Sequence, residues 1–172
     1  MRKSCTNLGD GADNTDQELD ELKATVKDLA DQAGISTAFA YAIMQQESGG
    51  CVRVHTTSYS VQNPGLFQSH EGQGTCNGTP VPCPQNEIHQ MVQDGIDGTA
   101  TGDGLKQLFG KATGTGAQKY YQVARMYNSG SVDASGDLGR NGATSCYCSD
   151  IANRLTGWSV GPSTCRAADV AL

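Results

Sequence analysis

No apolar run in this 172-residue chain approaches the roughly 20 residues that a membrane-spanning helix requires. The longest, around Thr37 to Met44, is interrupted by polar residues, so a membrane-embedded protein is not expected. Basic residues are outnumbered: 12 Lys and Arg against 18 Asp and Glu leave a net charge of −6 at pH 7. That balance argues against nucleic acid or an anionic membrane as a partner. The three histidines, His55, His70 and His89, show no metal-ligand spacing, and the cysteines lack the paired Cys-x-x-Cys pattern of a zinc site, so neither metal nor other cofactor is expected. No internal repeat or linker divides the chain, and nothing in it points to an oligomer. It reads as one monomeric domain over residues 1–172, with 1–15 as an N-terminal arm and 159–172 as a C-terminal tail. The opening Met-Arg-Lys-Ser-Cys has no apolar stretch behind it, and the expectation is a mature form from which any signal peptide has gone.

Cysteine, by contrast, is abundant. Seven in a chain this small are read as an oxidised framework, and hence as a secreted, extracellular protein. Cys5 with Cys51 would tie the N-terminal arm beside the candidate site. Cys76 with Cys83 would close a short loop. Cys146 and Cys148 cannot easily bridge to each other, so Cys165 is given to one of them and the other stays free.

Apolar residues recur every three or four positions at Leu19, Leu22, Val26, Leu29 and Ala33, which predicts a helix over Asp16 to Ala33, capped by Thr15 or Asp16 and stopped by Gly34. A second helix, capped by Ser36 or Thr37, runs through Ala38 to Met44. It is apolar nearly all round, and it ends at Glu47 before Ser48-Gly49-Gly50. The β-branched and aromatic stretch from Val52 to Val61 suggests short strands or an irregular hairpin. Helical pieces follow at Glu87 to Asp97, Leu105 to Phe109, Gln118 to Tyr127 and Cys148 to Leu155, separated by glycine-rich loops. The architecture expected is α+β and mainly helical, with a small β element.

Glu47 stands out chemically. A carboxyl at the end of an apolar helix loses hydration, which favours its protonated form and suits a general acid. Later segments keep it company: Gly65-Leu66-Phe67-Gln68, then Tyr127-Asn128-Ser129-Gly130, then Tyr147-Cys148-Ser149-Asp150-Ile151-Ala152-Asn153-Arg154. With Glu47-Ser48, this order resembles the goose-type lysozyme and soluble lytic transglycosylase family of the lysozyme-like superfamily, over roughly Phe39 to Trp158.

The resemblance implies a lysozyme-like domain with a small irregular β-sheet beside an open substrate cleft. It implies cleavage of β-1,4 linkages in a polysaccharide, peptidoglycan first and chitin second. Glu47 is then the catalytic acid, Gln68 a sugar- or water-contacting side chain, and Tyr127 and Asn128 the pair facing the acid. Ser58, Tyr59 and His70 complete the expected substrate-binding set.

The chain departs from that pattern in one consequential way. Goose-type members carry an aspartate in the hairpin, whereas residues 48–67 here contain no acid at all. Glu71 becomes the candidate base, and inversion through an intervening water would need the two carboxyls about 6.5–9.5 Å apart. A β-1,4-mannanase with a lysozyme-like fold is an alternative, although such enzymes use a hairpin aspartate where this chain has Thr57, Ser58 and Tyr59. A non-catalytic carbohydrate-binding relative is another, and it would keep its function when Glu47 is replaced by glutamine.

Overall fold

The computed structural model describes residues 1–140, 144–159 and 161–170. Among them the chain forms eight helices and one two-stranded antiparallel sheet, so it is mainly helical. It divides into two compact units, Met1–Lys106 and Gln107–Leu172.

The first unit opens with α1 (Ser4–Leu8), which has no apolar periodicity to announce it, and continues into α2 (Asp16–Ala33). Thr15 starts α2 through a capping box: its hydroxyl accepts from Glu18 N–H while the Glu18 carboxylate accepts from Thr15 N–H. Gly34 ends it in the left-handed conformation. α3 (Thr37–Ser48) buries Phe39, Ala40, Ala42, Ile43 and Met44, and the Tyr41 hydroxyl donates to the Lys23 carbonyl of α2 at 3.1 Å. Of the predicted stripe of α2, Leu19, Leu22, Val26 and Leu29 are buried and Ala33 is half-buried.

The strands are much shorter than the β-rich stretch suggested. Only Thr57–Ser58 (β1) and Gln62–Asn63 (β2) pair, in the register Thr57 to Asn63 and Ser58 to Gln62. Val52 and Val54 are buried in a turn instead, because their N–H groups donate to the Asn14 side chain (3.1 Å) and the Cys51 carbonyl (3.2 Å). α4 (Gln85–Asp97) then packs against α2 with Ile88, Met91, Val92 and Ile96. Gly95 on α4 is required by packing: a Cβ there would stand 2.2 Å from Cγ of the buried Phe67. The boundary between the units falls within α5 (Leu105–Lys111).

The second unit packs α6 (Gly116–Ser129) against α7 (Tyr147–Leu155), with Val123, Ala124 and Ile151 buried. Phe109 meets Tyr120 edge to face at 5.0 Å, the geometry that the ring quadrupoles prefer. Arg154 lies 4.4 Å over the Trp158 ring, a packing role for that tryptophan. The C-terminal tail holds α8 (Ala167–Val170) and is bonded to the start of α7 through Cys146–Cys165.

Three disulfides form: Cys5–Cys51, Cys76–Cys83 and Cys146–Cys165. Cys148 is the free thiol, and no helix among the described residues is long and apolar enough to cross a membrane. The three disulfides fit a secreted protein. Burial lifts the Cys148 thiol to about 11 despite the nearby Arg125 guanidinium, so it stays protonated and unreactive at neutral pH. A thiol reagent such as DTNB is expected to label nothing in the native protein at about pH 8 and one cysteine after denaturation. Fast labelling of the native protein would show that this thiol is not enclosed.

Candidate active site

Glu47 occupies the last turn of α3, half-buried beside Met44 and Ser48. The helix stops there because Gly49 adopts the left-handed conformation and donates to the Gln45 carbonyl at 3.1 Å. The Ser48 hydroxyl donates back to the Met44 carbonyl (3.0 Å) and accepts from Gly50 N–H (3.1 Å), which pins the exit of the helix. The N-terminal arm pins it further. Cys5–Cys51 is one bolt, and Asn14 is another: its amide donates to the Gly50 carbonyl at 2.7 Å while its oxygen accepts from Val52 N–H.

A tight turn follows the hairpin. Gly65 lies at φ 76°, and a Cβ there would approach Met91 Cγ to 2.7 Å, so both conformation and packing call for glycine. Leu66 and Phe67 are fully buried. Gln68 and Glu71 are the two non-glycine residues at positive φ among the described residues, at 47° and 51°.

The Gln68 amide is already committed. Its NH2 donates to the carbonyls of His55 (3.2 Å) and Gly65 (3.0 Å), and its oxygen accepts from the Thr57 hydroxyl at 2.8 Å. Gln68 therefore laces the turn to the hairpin, and the second lone pair of its oxygen is what it offers a ligand.

Glu71 is exposed, its N–H donates to the Gln62 carbonyl (2.9 Å), and its carboxylate accepts from the Thr101 hydroxyl. His70 is exposed as well, and its carbonyl accepts from the Thr99 hydroxyl at 2.7 Å, so the 99–102 loop is docked on this turn. From the other side the buried Asp94 carboxylate accepts from Gln73 N–H (2.7 Å) and Gly74 N–H (3.0 Å). Within the turn the buried Ser69 hydroxyl has no partner among the described residues.

Ser58 and Tyr59 sit at the hairpin end, both exposed, with Tyr59 at 93%. A tyrosine held that far into solvent suits stacking on a sugar face. Hairpin and turn thus bring Ser58, Tyr59, Gln68, His70 and Glu71 onto one laced framework.

Tyr127 and Asn128 belong to the second unit, half-buried in the last turn of α6. The Asn128 oxygen accepts from the fully buried Arg125 guanidinium and from Thr144 N–H at 3.2 Å. Arg125 also donates to the carbonyls of Leu138 (3.0 Å) and Thr144 (3.1 Å) and to the Ser129 hydroxyl. The amide NH2 is therefore the group through which Asn128 can meet a ligand.

One pair was not singled out from the sequence. His55 Nδ1 lies 2.9 and 3.1 Å from the two carboxylate oxygens of Asp10. Its only signal was the Cys5–Cys51 bridge, which sets residues five beyond one cysteine and four beyond the other side by side. Among the described residues no group of three or more His, Cys, Asp or Glu is placed to hold a metal ion. No family model, curated protein or solved structure matches this chain.

Proposed function

We propose that the chain is a secreted glycoside hydrolase that cleaves β-1,4 linkages of a polysaccharide by general acid catalysis, with Glu47 as the acid. The observation that carries most weight is the backbone of the 68–71 turn. Left-handed conformations cost an L-residue on the order of 1–2 kcal/mol, and glycine would remove that cost. Gln68 and Glu71 bear it instead, at positions where the sequence independently places site residues. Strain of this kind collects at functional sites because a side chain is needed where glycine would be easier.

Glu47, half-buried at the end of an apolar helix, protonates the leaving glycosidic oxygen. Tyr59, Ser58, His70 and the free lone pair of Gln68 contact the sugar. For the attacking water the sequence offers Glu71. Peptidoglycan and chitin are the substrates this reading favours, and the net charge of −6 favours the uncharged polymer of the two or an acidic working pH.

The test is product analysis by mass spectrometry after incubating the protein and its Glu47→Gln variant with peptidoglycan, chitin oligomers and mannan. Cleavage of one polymer by the wild type and not by the variant supports the reading and names the substrate, mannan identifying a mannanase. Products lighter by one water mark a transglycosylase. Absence of cleavage on every polymer, with binding unchanged by Glu47→Gln, would replace the enzyme by a carbohydrate-binding protein.

A further inference from the structure

A hydrolase that donates one proton from Glu47 must also take one from water, and residues 48–67 contain no acid to do it. The structure brings a carboxylate to this segment from far away in sequence. Asp10, with a side chain only 9% exposed, accepts from His55, whose ring is 56% exposed. A carboxylate can only accept, so a hydrogen sits on His55 Nδ1, and in the tautomer that this contact selects Nε2 is the ring nitrogen able to take a proton.

Attachment of the arm does not explain the pair. Cys5–Cys51, the two Asn14 bonds and the Arg53 donation to the Ala12 carbonyl (3.4 Å) already fasten it. What Asp10 adds is a fixed tautomer and orientation for a ring left open to solvent. The backbone that carries this ring is part of the framework described above, since the His55 carbonyl accepts from the Gln68 amide, which in turn accepts from Thr57. Glu71, by comparison, is exposed, and its carboxylate is engaged by the Thr101 hydroxyl.

We propose that His55 is the catalytic base of this site and Asp10 its positioning residue, an inference that rests on the glycoside-cleaving reading. Glu47 gives its proton to the glycosidic oxygen, and the electron pair of the anomeric C–O bond leaves with that oxygen. A water lone pair forms the new bond to the anomeric carbon while the proton of that water passes to His55 Nε2. Asp10 stays ionised and balances the imidazolium. The proton on His55 returns to Glu47 through solvent, and the product has inverted anomeric configuration.

The experiment compares wild type, His55→Ala, His55→Gln, Asp10→Asn and Glu71→Gln on the polymer that the wild type cleaves, with and without azide, and reads the product configuration by NMR. His55→Ala is expected to lower kcat by roughly 10²–10⁴-fold with KM little changed. Azide, an anionic nucleophile needing no base, should restore part of that turnover and give a glycosyl azide of inverted configuration. His55→Gln, close in size to histidine, should fold and be equally slow without azide. Asp10→Asn should lower kcat by a smaller factor at unchanged KM and show no azide rescue.

The dyad is overturned if Glu47-dependent cleavage proceeds at wild-type kcat in both His55 variants, and equally if azide rescues Glu71→Gln and not His55→Ala. A retained configuration or an anhydro-sugar product also overturns it, while leaving Glu47 as the acid. If the wild type cleaves none of the polymers, the underlying reading falls and the dyad with it.

Discussion

Replacing Glu47 by glutamine is expected to lower kcat by roughly 10²–10⁴-fold, the contribution typical of a general acid, while KM stays within a few-fold and the protein stays folded. In free energy that is about 3–5.5 kcal/mol of lost transition-state stabilisation. Glutamine keeps the shape and the polar atoms of the side chain, so the helix end, with its Ser48 and Gly49 bonds, is undisturbed. What disappears is the transferable proton. A carboxylate in the last turn of a helix also meets the negative end of the helix dipole, typically unfavourable by about 0.3–1 kcal/mol at an exposed site, so neutralising it gives no reason for a lower Tm. Steady-state kinetics beside a thermal melt separates the outcomes. A raised KM at constant kcat would reduce Glu47 to a binding group, and unchanged kinetics would remove it from the mechanism.

The helix end that carries Glu47 is legible because most of what shapes it is local, the Cys5–Cys51 bridge and Asn14 excepted. The apolar stripes of α2 and α3, the Thr15 and Glu18 capping box and the Gly34 and Gly49 stops all lie within a few residues of what they control. Where distant groups decide, the sequence misleads. Val52 and Val54 have strand-forming side chains, yet Asn14 and the Cys5–Cys51 bridge take the backbone there into a turn. The left-handed turn at Gln68 and Glu71 had no local sign either, because the residues that ordinarily announce it are glycine and asparagine. The sequence marks Gln68 as a ligand contact, and the lacing to His55, Gly65 and Thr57 that occupies most of its amide exists only once the hairpin is folded. Asp10 was overlooked for the same reason, lying 45 residues from His55.

The largest stability effect is expected at Glu18, whose role is equally invisible in sequence. Glu18 is fully buried and the Arg53 side chain is 4% exposed. The carboxylate accepts from Arg53, from Thr15 N–H (2.6 Å) and from Cys83 N–H, so it joins the start of α2, the segment after α3 and the Cys76–Cys83 loop. Glu18→Ala should cost about 3–5 kcal/mol, because it strands a buried guanidinium. Replacing both partners should cost less than the sum of the two single changes. Arg53 Nε already lacks a partner among the described residues, and Glu18→Leu with Arg53→Met removes both charges together. The double variant should still fall about 1–3 kcal/mol short of wild type, since the N–H groups of Thr15 and Cys83 lose their acceptor in either case. Acid gives an independent handle on the same carboxylate. Burial pushes Glu18 upward, but the hydrogen bonds from Cys83, Thr15 and Arg53, with the Arg53 charge, outweigh it and hold the group below its ordinary 4.5. A carboxylate whose pKa is lower folded than unfolded contributes its full stability above the ordinary value and loses it as pH falls through the lowered folded value. Urea unfolding from neutral pH downward should therefore show wild-type stability dropping below about pH 4.5 more steeply than that of Glu18→Gln, which has no proton to take up at this position. Parallel curves for the two proteins would mean that Glu18 is not held ionised in the fold, and the buried pair would lose its place as the joint between those three segments.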